Sequence, residues 1–177
     1  MTHLAVFRPF FWAMLEVGTR ETPGPKATPR VLEYRRLAKL DHLKGDDGDV
    51  AWCAIFENAS YEANGIPGTR SGMARSFERS DNFYNLGQPL MGCTVTFWRG
   101  SETGGLGHVG KYAGETETHI RVLGANQGDA VSYAMFPKAG NKMGVTGYWW
   151  PYGAPLVGKL GAFPIKNWGD VAPVSMT

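Results

Sequence analysis

Residues 93–98 read Cys93-Thr94-Val95-Thr96-Phe97-Trp98, a run of β-branched and aromatic side chains that favours a strand. Residues 109–113, 119–123 and 130–136 have the same character and are bounded by Gly, Asn and Asp, so each reads as a further short strand. Gly147-Tyr148-Trp149-Trp150 is a candidate fifth. On the N-terminal side the pattern is helical. Residues 9–17 carry Pro9 in a first turn and Gly18 as a stop. Thr28 is expected to cap a second helix with Pro29 at its first position. Val31, Tyr34, Leu37 and Ala38 supply its apolar face, and Arg35, Arg36 and Lys39 sit where the dipole favours cations. Asp49 is expected to cap a third helix over 50–64, closed by Gly65, with a short helix over 73–79 after it. Helices first and strands second imply an α+β domain built on an antiparallel sheet.

The chain has 177 residues and a mass of 19.4 kDa, enough for one core and too short for two. The expected organisation is a domain over 1–151 and a C-terminal extension over 152–177, packed on the domain or flexible. Glycine (24) and proline (11) are abundant, which fits many turns and short elements. The net charge of +2 gives no basic stripe for nucleic acid. The most apolar stretch, residues 4–17, is broken by Arg8, Pro9 and Glu16 and falls short of the roughly 20 residues of a membrane span. It also lacks the basic start and small-residue cleavage site of a signal peptide. Synthesis and folding in a cytoplasm are therefore expected.

Two cysteines are too few for a disulfide framework. Cys53 is expected in the first turn of the third helix, where unpaired N–H groups and the helix dipole favour a thiolate. A small buried hydrophobe is the plainer reading of any free cysteine. His108 lies in Gly104-Gly105-Leu106-Gly107-His108-Val109-Gly110. A histidine at the start of a strand, flanked by small residues, can approach a helix N-terminus and act as base for a thiol. Leu123-Gly124-Ala125-Asn126-Gln127 ends the next strand. A hairpin of 109–113 with 119–123 returns Asn126 to the His108 end of the sheet, where its carbonyl would orient the imidazole. Cys53, Cys93, His108 and His119 show no zinc spacing. Asp46, Asp47 and Asp49 suit a solvated helix-capping turn better than a calcium loop, since the regular alternation and terminal Glu are missing.

Helical Cys, strand His and a polar residue on the following strand is the order of the papain-like NlpC-type and CHAP-type cell-wall hydrolases. The chain resembles in particular a phage and bacterial branch of small NlpC-like proteins. The resemblance rests on Glu16-Val17-Gly18 with Glu21 and Gly24, on residues 30–34, and on Trp52-Cys53-Ala54. It continues through Gly65-Ile66-Pro67-Gly68-Thr69 with Ser71, residues 92–97, Gly107-His108-Val109-Gly110, Leu123-Gly124-Ala125-Asn126-Gln127 and residues 147–151. It covers residues 9–151, in order. What it implies is a papain-like fold and a peptidoglycan-degrading thiol hydrolase, with Cys53 as nucleophile, His108 as base and Asn126 as orienting group. Gln127 and Asp129 are rivals for that last role. Substrate contacts are expected at Trp52, Ser71, Gly107 and Gln127, with no cofactor, no metal and no role for Cys93. The implied setting is a monomeric phage endolysin in the host cytoplasm, reaching the wall after release by a holin and cutting an amide bond of the stem peptide. Alternatives are a virion-associated lysin, a bacterial toxin of the same fold acting as an amidase, or a catalytically idle wall-binding or tail-assembly module.

Overall fold

The computed structural model describes residues 7–23, 27–45 and 50–165. Among these, three helices come first: α1 (Arg8–Leu15), α2 (Pro29–Leu37) and α3 (Cys53–Glu62). A 3-10 helix over Ala74–Arg79 leads into six strands: β1 (Phe83–Asn85), β2 (Thr94–Arg99), β3 (Gly107–Glu115), β4 (His119–Gly124), β5 (Ser132–Pro137) and β6 (Met143–Pro151). They form one antiparallel sheet in the order β1-β6-β2-β3-β4-β5. The architecture is α+β.

The helix starts follow local chemistry, with two corrections. Pro29 stands in the first turn of α2 and Thr28 at its N-cap, but the Thr28 hydroxyl makes no capping bond. It accepts instead from the Thr22 N–H at 2.7 Å, tying the preceding turn to the helix. The third helix begins at Cys53, with Trp52 at the N-cap, and not at residue 50. Asp46, Asp47 and Asp49, read as a cap or calcium turn, lie outside the described residues.

Strands β2 to β5 sit where the β-branched and aromatic runs placed them. The run at 147–150 belongs to a longer strand, because β6 spans nine residues and bulges against β2 between Thr96 and Phe97. Three-residue β1 is too short to show a period and was not expected. Helix α3 packs against the middle of the sheet and is almost wholly enclosed, with nine of its ten residues buried. That enclosure matters because its first residue is Cys53. Of the C-terminal extension, residues 152–165 lie along the domain. Glu115 exchanges backbone hydrogen bonds with Phe163 and Ile165 at 2.9 Å each, and the Phe163 N–H donates to the Tyr112 hydroxyl at 3.0 Å. No helix among the described residues is long and apolar enough to cross a membrane.

Candidate functional site

The position of Cys53 is set from the N-terminal side by a set of partly buried polar contacts. Glu16 accepts from Arg30 Nε at 3.0 Å and from the Tyr34 hydroxyl at 2.6 Å. Tyr34 stacks on Trp52, with ring centroids 6.2 Å apart and planes 20° from parallel. The Trp52 indole N–H donates to Glu21. Charge-assisted bonds of this kind are stronger than neutral ones, and here they hold the residue before the thiol. Trp52 is fully buried. It is therefore a strut, and its expected place among substrate contacts is corrected.

From the other side the thiol meets β3. That strand starts at Gly107, yet its first pair with β4 is Lys111 with Leu123, so residues 107–110 form no ladder pair with β4. A strand overhang leaves backbone donors open. The backbone groups of Ala54, Val109 and Cys53 itself lie near the sulfur and favour its charged form. The thiol thus lies close to the peptide unit that directly follows His108. Burial outweighs these donors and the nearby positive charge of Arg99, and it pushes the thiol up to about 11.

His108 is buried at 3% exposure. Its ring lies on the side of β3 shared with Phe97, its direct strand partner, and stacks on Phe136 at 4.6 Å between centroids. Nε2 lies 2.9 Å from Gln127 Oε1. The Gln127 amide nitrogen donates to the Ser132 carbonyl at 2.6 Å, which fixes the orientation of the amide and leaves Oε1 as acceptor. An acceptor there requires a proton on Nε2, so the neutral ring carries its lone pair on Nδ1. Desolvation lowers the imidazole to about 4, against the upward pull of Gln127 and with Arg99 lowering it further. The resting state at neutral pH is therefore a neutral thiol and a neutral imidazole with a defined tautomer.

The structure gives the orienting position to Gln127 and not to Asn126. Asn126 turns the chain in the left-handed region, at φ 56°, a conformation asparagine tolerates. That turn swings the next residue, Gln127, back under the ring. The sequence pointed to the pair Asn126-Gln127, but side-chain reach past a left-handed residue decides between them. Gln127 is 3% exposed and spent on His108 and Ser132, so it serves the imidazole and not a substrate. Where His108 serves as a base, Gln127→Leu should lower turnover at least about tenfold, a part of the roughly 10²–10⁴-fold that a positioned base contributes. Asn126→Gly, which keeps the left-handed turn, should leave turnover near wild type. Parallel kinetics of the two variants decide this, and equal losses would return the role to Asn126.

Gly107 and Ser71 are each fixed by their neighbours. A Cβ at Gly107 would lie 2.2 Å from the Phe97 carbonyl oxygen and 2.8 Å from Arg75 Cγ, so only glycine lets the strand enter here. Arg75 grips Glu78 through Nε and Nη2 at 2.9 Å each and holds the carbonyls of Glu102 and Gly104 at 2.9 and 2.6 Å. The Gly-rich loop leading to His108 is pinned by this one side chain. A cavity of about 220 Å³ lies there, lined by Met73, Arg75, Ser76, Arg79, Gly104 and Gly105. The half-buried Ser71 bonds the Met73 N–H through its hydroxyl at 3.2 Å, while its carbonyl accepts from Asn58 Nδ2 at 3.1 Å. Asn58 Oδ1 in turn accepts from the N–H groups of Thr69 and Arg70 at 2.6 and 3.1 Å. Asn58 and Arg75 were not singled out from the sequence; a fully buried amide in an apolar helix is the signal that marks the first. Cys93 is wholly buried and unpaired, and burial pushes it to about 12.

The chain matches no protein-family model, no curated protein and no solved structure.

Proposed function

We propose that the protein is a thiol hydrolase of papain-like, NlpC/CHAP type that cuts an amide bond of the stem peptide of peptidoglycan. One observation carries the reading. The thiol at the first residue of a buried helix lies near the peptide unit after a histidine whose tautomer a buried glutamine fixes. The sequence resemblance to cell-wall hydrolases supplies the substrate class.

The steps follow from the protonation states. As the thiol attacks the scissile carbonyl, its proton passes to Nδ1 of His108, the only ring nitrogen with a free lone pair in this tautomer. The tetrahedral oxyanion forms at the N-terminus of α3. There the N–H groups of the first turn have no intrahelical acceptor, since the first such bond runs from Phe56 to Trp52. The imidazolium, still held through Nε2 by Gln127, then protonates the leaving amine. Water resolves the thioester with the same ring as base.

Digestion of purified peptidoglycan followed by mass spectrometry tests this. New amine termini within the stem peptide are expected, and an added amine nucleophile should not be incorporated. Release of the whole stem from the sugar would change the assignment to an amidase. Identical fragment patterns from the wild type and from Cys53→Ala would refute the hydrolase.

A further inference from the structure

Beneath the thiol lies an ion pair that no step above uses. Glu57 on α3 and Lys111 on β3 are both fully buried, with Nζ 2.7 Å from Oε1. The Thr94 hydroxyl donates to Glu57, and the Tyr61 hydroxyl lies 2.7 Å from Thr94 Oγ1. The ammonium sits over the Tyr61 ring, 3.5 Å from its centroid. Thr94 and Lys111 are direct strand partners, so both face α3. Glu57 comes one helical turn after Cys53, and Lys111 three residues after His108.

A buried ion pair is a poor source of stability, because desolvation of two charges cancels most of their attraction and an apolar pair of the same volume does as well. Its strength lies in what it forbids. A one-residue slip of β3 would carry Lys111 to the far side of the sheet. A one-residue rotation of α3 would swing Glu57 away by about 100°. Either change leaves a bare charge in the core. The permitted arrangement is the one that brings the Cys53 sulfur to the Val109 N–H.

We propose that Glu57 and Lys111 are positioning residues, a clamp that fixes the register of α3 on β3 and with it the seating of Cys53 against Val109, the residue after His108. The proposal rests on Cys53 and His108 being the reactive pair. Its test needs no substrate.

The test is the pH dependence of Cys53 alkylation by iodoacetamide, read by peptide mapping so that Cys93 is scored separately, in the full chain and in Glu57→Gln/Lys111→Met. The double replacement removes both charges together and keeps both shapes, so the fold should survive; a thermal melt checks it. With the clamp gone, water reaches the thiol, and the midpoint of the Cys53 profile should fall from about 11 toward the ordinary 9. Thr94→Val, which takes away one bond to Glu57 and leaves both charges, should move it the same way by less, and it carries the test if the double variant does not fold. Where cleavage is measured, kcat should drop with KM unchanged. A folded variant whose Cys53 profile matches wild type overturns the clamp. If wild type cleaves no peptidoglycan but the profile still shifts, the clamp stands and the proposed reaction falls.

Discussion

Cys53→Ala should abolish peptidoglycan cleavage, by roughly 10³-fold or more, while the protein still folds. On the proposed mechanism the loss is total in kind, because the other cysteine cannot take over the acyl intermediate: Cys93 is wholly buried and burial holds it at about 12. Removing one sulfur at a helix start leaves the strut of Trp52 and Glu21 in place. Cys93→Ala should behave in the opposite way. It opens a small cavity in the core, at a cost of about 1 kcal/mol, and keeps its activity. Release of soluble fragments from purified peptidoglycan, normalised to folded protein, measures both. An active Cys53→Ala would end the thiol mechanism.

The second large effect is on stability. In the unfolded chain His108 binds a proton below about pH 6.5, whereas in the folded protein it does so only below about 4, because burial and Arg99 outweigh the pull of Gln127. Between those values the unfolded state holds the extra proton, so stability falls as pH is lowered. The contribution is flat above about 6.5 and again below about 4. A gap of this size corresponds to roughly 3 kcal/mol. Carboxylates titrate in the same range, so the quantity to measure is a difference. Urea unfolding at pH 7 and pH 4 should show that His108→Asn loses roughly 3 kcal/mol less than wild type over that interval. Equal losses in the two proteins would mean that His108 is not held neutral by the fold.

Much of this was legible in the residues themselves. The runs around Thr94, Val109 and Ile120 carried the sheet, and Cys53 and His108 stood out because a small residue or a helix start flanks each. Glu16, Glu21, Arg30, Tyr34 and Trp52 were visible only as fragments of a pattern; the fold joins them into two hydrogen-bonded groups, linked by the stack of Tyr34 on Trp52, next to the thiol. Three things could not be read. The true start of α3 depends on how Trp52 packs, which no capping residue announces. The choice of Gln127 over Asn126 depends on a left-handed turn. The Glu57–Lys111 pair depends on which residues two distant elements bring face to face, and periodicity carries no information about that.

Helix α3, enclosed on nearly every side, also orders events in time. Strands β2 to β5 pair with their neighbours in sequence, so that meander closes short loops and gains contacts early. A ten-residue helix is unstable in isolation, and α3 finds the Val109 N–H and the Lys111 ammonium only once the sheet exists. Until then Cys53 is an ordinary thiol near 9, more readily ionised at neutral pH than in the finished fold. The chain is therefore most exposed to oxidants while it is being made, and its own folding is what protects the sulfur.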